Sequence, residues 1–272
     1  MQTSRSASFD DLKLRTVSGV ALGLIALGLF WLGGYWSAAL LALGAALMVW
    51  EMREMVIGAG RGSSLLGIIA MIAAAASVLI TEATELRWGF LLVACVGLGL
   101  AMAEGPRGRW ANIGLLYIAL AMMCIDGLRT DDNYGFTAVI WLVTVVIAAD
   151  VGGYFAGRVI GGPKLWPRVS PKKTWAGLLG GMALAVVVGM IFSAFTSNTF
   201  FWKVGLISAL VALVSVGGDL LESSIKRHFG VKDSSTLLPG HGGLLDRFDG
   251  LAAAAIFASA ITFARGQSIF IW

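Results

Sequence analysis

Charge and both histidines gather in one short stretch near the end of the chain, SSIKRHFGVKDSSTLLPGHGGLLDRFDG, residues 223–250. Asp219 and Glu222 stand three residues apart, and Asp246 and Asp249 repeat that interval. On a helix such a pair shares one face. Asp150 lies in an apolar run further upstream. Hard oxygen ligands from several elements suit Mg²⁺, which accepts a few carboxylates and completes its octahedron with water and substrate phosphates. The competing reading is that Arg227 and Arg247 neutralise these acids in ordinary salt bridges.

Cations supply the other half of a phosphate site. Arg158, Lys164, Arg168, Lys172 and Lys173 fall within RVIGGPKLWPRVSPKKT (158–174), and Lys226, Arg227 and Lys232 within KRHFGVKD. Such density suits a polyphosphate or the headgroups of anionic lipid. Pro171 is expected to present Lys172 and Lys173 from a loop, since its ring fixes φ. GRVIGGPK is not a P-loop: Pro163 interrupts it, and no Ser or Thr follows Lys164. In PGHGG (239–243), glycine permits positive φ and close backbone approach, with amide N–H groups free to meet phosphate. His241 is either a hydrogen-bonded structural residue or a phosphate contact. The chain has no Ser/His/Asp order, no HExxH and no Cys/His metal spacing, so nucleophilic and zinc-hydrolase chemistry lack support.

The elements that must position these groups are membrane helices. The 272 residues are 58% hydrophobic and 13% charged, about half the charge of a soluble domain, with a mean hydropathy of +0.84. So few charges cannot cover a water-facing surface, which makes the chain an integral membrane protein. Apolar runs predict an all-α polytopic fold of about nine spans, near 16–34, 36–52, 64–80, 88–103, 110–125, 134–157, 176–196, 201–222 and 250–265. Residues 1–15 read as a cytoplasmic tail, 16–134 as hydrophobic helices and 135–272 as the catalytic half of one membrane domain.

With the N-terminus cytoplasmic and the C-terminus outside, all of the 20 Lys and Arg except Arg87, Arg129, Lys203 and Arg265 lie on the cytoplasmic side. That asymmetry follows the positive-inside rule. It brings Asp150, Asp219, Asp246 and Asp249 to one depth, where an ionised carboxylate costs a few kcal/mol unless something positive meets it. The pI near 9.3 reflects the same loops and does not imply nucleic acid. Cys95 and Cys124 lie in apolar runs and read as buried free thiols. GVALG (19–23), GYFAG (153–157), GRVIG (157–161) and GLLGG (177–181) space small residues by four, which predicts close helix packing.

Ser223, Lys226, Arg227, Lys232, Asp233, Pro239, Gly240, His241, Gly242, Gly243, Asp246, Arg247 and Asp249 together follow S-x-x-K-R-x4-K-D-x5-P-G-H-G-G-x-x-D-R-x-D. This resembles the phosphatidate cytidylyltransferases, also called CDP-diacylglycerol synthases. GDLLESSIKR (218–227) and AADVGGYFAGRVIGG…SPKKT (148–174) extend the resemblance over the C-terminal half. Ala176 departs from it, where similar sequences often carry an acid.

The resemblance implies a Mg²⁺-dependent membrane enzyme of the bacterial inner membrane. Such an enzyme joins CTP to phosphatidic acid and releases pyrophosphate. It implies catalytic roles for Asp219, Asp246, Asp249, Lys226, Arg227 and His241. Asp219, Asp246 and Asp249 would hold one or two metal ions, with Glu222 and Asp150 as further candidates. Substrate contacts would come from Ser170, Lys172, Lys173, Lys232, Asp233, Gly242, Gly243 and Arg247. The implied partners are CTP, phosphatidic acid, membrane lipid and a second copy of the chain. A secondary transporter is the non-enzyme alternative, but the acids sit toward one face and no inverted repeat is present. A CDP-alcohol phosphotransferase would need an arginine and two later acids that DGLAAA lacks. A CTP-dependent polyprenol kinase would move the γ-phosphate instead.

Overall fold

A computed structural model describes residues 19–131, 133–196, 200–237 and 242–271. Nine helices follow one another among them: α1 (Gly19–Leu32), α2 (Tyr35–Val56), α3 (Leu65–Ala83), α4 (Leu86–Ala103), α5 (Gly105–Arg129), α6 (Gly135–Val159), α7 (Trp175–Phe195), α8 (Phe201–His228) and α9 (Leu245–Arg265). Those from α2 to α9 are long and apolar enough to cross a membrane, and α1 is shorter in its described part. The all-α polytopic expectation holds. The protein is an integral membrane protein.

Several helices run past the predicted spans. α8 has 28 residues and ends at His228, so Ser223, Lys226 and Arg227 are helical where a loop was expected. Hydropathy marks only the part of a helix that lipid covers, whereas backbone hydrogen bonding continues into water. Arg53, expected in a loop, lies fully buried in the last turn of α2 and pairs with Glu104.

Between α6 and α7 the expected loop is instead an antiparallel hairpin, β1 (Lys164–Trp166) and β2 (Ser170–Thr174), with Lys164 opposite Thr174 and Trp166 opposite Ser170. Pro171 therefore sits in a short two-stranded ribbon, where every strand is an edge and a missing N–H is tolerated. Thr174 ends β2 and caps α7, its Oγ1 accepting the Gly177 N–H at 3.0 Å.

The chain divides into two compact units. The first takes Met1–Leu116 and Asp233–Asp246, the second Tyr117–Lys232 and Arg247–Trp272. In the second unit α6 packs along α7, and α7 along α8. A Cβ on Gly181 would stand 2.4 Å from the Ala149 carbonyl oxygen, and one on Gly177 2.8 Å from that of Gly153. The glycine spacing in GYFAG and GLLGG thus serves backbone-to-backbone packing of α6 on α7, as predicted. GRVIG does so only through Gly157. Gly161, at φ 68°, follows the end of α6 as the left-handed residue that stops a helix. GVALG does not serve packing at its described end, since a Cβ on Gly23 would meet nothing. Cys124 is buried as expected, but Cys95 is exposed on α4. That correction costs the fold nothing, since an apolar thiol is compatible with a lipid-facing surface.

Candidate functional site

In the second unit α8 and α9 approach at small residues. A Cβ on Gly218 would meet the Asp249 carbonyl oxygen and the Ala253 Cβ, each at 2.7 Å, and one on Gly250 would meet Ser215 Oγ at 2.5 Å. Close approach here brings Asp219 and Asp249 into electrostatic range of one another. Asp150, on α6, lies in range of Asp219 as well. Lys173 reaches in from β2. Its Nζ pairs with the Asp219 carboxylate, and its charge is also felt by Asp150 and Asp249. One ammonium thus stands among three acids from three helices. Ser223 Oγ donates to Asp219 Oδ1 at 3.2 Å, one turn further along α8.

Beside this centre is a cavity of about 330 Å³ bounded by α6, α7, α8 and the hairpin. Asp150, Tyr154, Arg158, Lys172, Lys173 and Thr174 contribute to its wall. Arg158 donates to Tyr154 Oη at 2.6 Å, which directs the guanidinium along the α6 surface. Lys172 is exposed and Lys173 half-buried. The two neighbouring lysines therefore have different environments, a distinction their sequence gives no hint of. Lys173 belongs to the acid centre as much as to the basic loop.

One turn beyond Asp219, Glu222 and Lys226 form an i,i+4 ion pair at 3.1 Å, and both are largely buried. Arg227 is exposed and donates to the Val231 carbonyl at 3.2 Å, closing the turn that follows α8. Neither observation takes these residues out of a phosphate site, but each has a structural contact of its own. Ser170 opens β2, and Lys232 is exposed just after that turn.

In the first unit the loop leading into α9 is built around two carboxylates. Asp246 accepts from the backbone N–H of Ser234, at 3.0 Å to Oδ2, and from that of Gly243, also at 3.0 Å. Glu51, near the end of α2, accepts from four donors: the Leu244 N–H at 2.8 Å, the Leu245 N–H at 2.6 Å, and the hydroxyls of Ser234 and Ser235. Glu51 is fully buried. Gly242 has φ 83°, which bears out the expected left-handed turn. A Cβ on Gly243 would fall 1.8 Å from Ser234 Oγ and 3.0 Å from Glu51 Oε1, so only glycine fits there. The expectation that the amides of this turn are free for phosphate is corrected at Gly243, whose N–H is committed to Asp246. Loop closure claims it first, because a buried N–H cannot be left unpaired. Asp233 and Arg247 are exposed at either end of this segment. His241, Pro239 and Gly240 lie outside the described residues.

Among the described residues no three His, Cys, Asp or Glu side chains stand close enough together to form a metal cage. Mg²⁺ does not need one, since it commonly takes one or two carboxylates and draws the remaining oxygens from water and phosphate. Asp219 and Asp249 fit that demand in chemistry and proximity.

Comparison with known proteins settles the class. The profile of the cytidylyltransferase family matches residues 13–264. The chain belongs to this family. It is therefore an enzyme, a nucleotidyltransferase, as the sequence resemblance implied. Among its relatives in the family is the phosphatidate cytidylyltransferase of Brucella suis, 42% identical over 193 residues, covering 71% of each chain. That of Haemophilus influenzae is 45% identical over 138 residues, 49% of this chain and 48% of the relative. That of Bacillus subtilis is 39% identical over 139 residues, 51% of this chain and 52% of the relative.

Sequence reasoning missed Glu51 and Glu104. The available signal was an ionisable residue within an apolar helical run, here the Glu51 of AALMVWEM.

Proposed function

We propose that this cytidylyltransferase transfers CMP from CTP to phosphatidic acid, giving CDP-diacylglycerol and pyrophosphate, at the cytoplasmic face of a bacterial inner membrane. The observation that carries the proposal is the similarity, over 71% of both chains, to a relative named for phosphatidate. The cation-lined cavity beside the acid centre supports it, because both substrates are phosphate anions. In the reaction a phosphate oxygen of phosphatidic acid forms a bond to the α-phosphorus of CTP. The bond from that phosphorus to the bridging oxygen breaks, and its electron pair leaves with pyrophosphate. The attacking oxygen is already anionic near neutral pH, so positioning and charge neutralisation supply most of the catalysis.

The cofactor in this reading is Mg²⁺, with Asp219 and Asp249 as the residues that would hold it; Asp246 is a further ligand only as the sequence resemblance implies it. Bound there, the ion would offset charge on the phosphate oxygens and on the departing pyrophosphate. Lys172, Lys173 and Arg158 line the cavity and would bind phosphates, Lys173 turning from Asp219 as the anion arrives. Ser170, Lys226, Arg227, Lys232 and Arg247 supply further donors along the hairpin and the α8–α9 segment. Lys226 also pairs with Glu222 at 3.1 Å. Exposed lysines act as point charges on flexible stems, suited to capturing a nucleotide from water.

The test is purified protein in detergent with CTP labelled in the cytosine or the α-phosphate, phosphatidic acid and Mg²⁺. The expected product is a labelled lipid carrying CMP, with one pyrophosphate per turnover. Release of CDP with phosphorylation of the lipid would make the protein a kinase instead. A cysteine at exposed Lys232, in a background lacking Cys95 and Cys124, should be labelled from the cytoplasmic side only.

A further inference from the structure

We propose that Glu51 is a positioning residue for this reaction, clamping the loop that presents Asp246; the inference rests on the function proposed above. A buried carboxylate needs compensation, and in α2 it finds none along its own helix, where the neighbouring Arg53 is turned to Glu104. The compensation comes from the distant segment 234–245. Oε1 takes the Leu244 N–H and the Ser235 hydroxyl, and Oε2 takes the Leu245 N–H and the Ser234 hydroxyl. Each oxygen thus holds one backbone and one side-chain donor. Leu245 opens α9, whose first N–H groups have no partner within the helix. A negative charge is also favoured at that end by the helix dipole.

The geometry links this clamp to Asp246. Ser234 donates its hydroxyl to Glu51 and its N–H to Asp246, and Gly243 donates to Asp246 immediately before the two leucines that donate to Glu51. The two carboxylates therefore hold the same loop from opposite ends of the chain. Glu51 contributes no group to the reacting atoms in this assignment. It fixes where Asp246 stands.

The experiment compares wild type with Glu51→Gln, which keeps the shape but turns an NH₂ group toward N–H and O–H donors. Two readouts are taken: hydrogen exchange at the amides of 243–246, and the Mg²⁺ concentration giving half-maximal rate. Loss of one or two charge-assisted bonds predicts exchange faster by roughly tenfold or more at these amides, and Mg²⁺ half-saturation raised severalfold. Glu51→Asp should recover part of both losses. If Glu51→Gln unfolds, Ser235→Ala removes a single donor and should shift the same two readouts in the same direction by less. Unchanged Mg²⁺ dependence in a folded Glu51→Gln enzyme would overturn the inference, as would a lost rate with unaltered exchange at 243–246. A wild-type protein that makes no CDP-diacylglycerol overturns the functional reading itself, a result separate from either.

Discussion

The two units meet the same physical problem, carboxylates carried on apolar helices, with opposite chemistry. Glu51 is held by four neutral donors from segment 234–245, two of them backbone N–H groups fixed in direction by the chain. Asp219 is held by the ammonium of Lys173 on the end of a flexible stem, with Asp150 and Asp249 nearby. Backbone N–H groups cannot leave when a ligand arrives, whereas a lysine side chain can. The first arrangement therefore suits a carboxylate whose task is to stay where it is. The second suits one that must exchange partners during a reaction. In a single amino-acid alphabet, the choice of counter-group distinguishes scaffold from working site.

The comparison breaks most visibly at Asp219. If its carboxylate is a working group, Asp219→Asn should lower kcat by on the order of 10³-fold while the protein stays folded. A near-normal rate, measured at ordinary Mg²⁺, would reduce the Asp219–Lys173 contact to a structural ion pair.

Lys173 and Lys172 sharpen the contrast. Lys173→Ala removes a charge-assisted contact of a half-buried ammonium and should lower kcat/KM by about 10–100-fold, with part of the loss in kcat. Lys172→Ala, at an exposed residue, should raise the KM for CTP severalfold, leave kcat nearly unchanged and weaken the salt dependence, since exposed charge is screened over ~8 Å at physiological ionic strength. Steady-state kinetics at two ionic strengths separates the two. Equal effects would mean the hairpin acts as one undifferentiated basic patch.

The smallest expected effect concerns Thr174, which couples the hairpin to α7 by capping it. Thr174→Ala should cost about 1 kcal/mol of stability, read as a lower thermal midpoint in detergent, because the Gly177 N–H loses its acceptor. No change would show that the glycine seam between α6 and α7 holds this corner by itself.

What the sequence conveyed followed from signals that are local. Apolar runs located the helices, and D-R-x-D with S-x-x-K-R located the charged segment. The resemblance groups Asp219, Asp246 and Asp249, and the approach of α8 to α9 brings Asp219 and Asp249 of that set into electrostatic range. The ends of α8 and α2 were not legible, since a charged turn of helix in water has the composition of a loop. The hairpin was hidden for a related reason: strands of three and five residues, the second containing Pro171, show no usable alternation. Glu51 was hidden by distance, as its donors lie 183 to 194 residues away. Nothing near Glu51 in the chain announces a partner, and only folding reveals why an acid is there.

One consequence of the length of α8 concerns the lipid itself. At 1.5 Å per residue, its 28 residues extend about 42 Å, against a hydrocarbon core of ~30 Å. A helix that exceeds the hydrocarbon core takes up its surplus by tilting or by extending turns into the headgroup region. Membrane thickness is therefore a physical variable for a helix of this length. A thicker bilayer favours a more upright helix and a thinner one a greater tilt, each at a modest cost per ångström of mismatch. The tilt of α8 is thus the coordinate through which bilayer thickness acts on this protein.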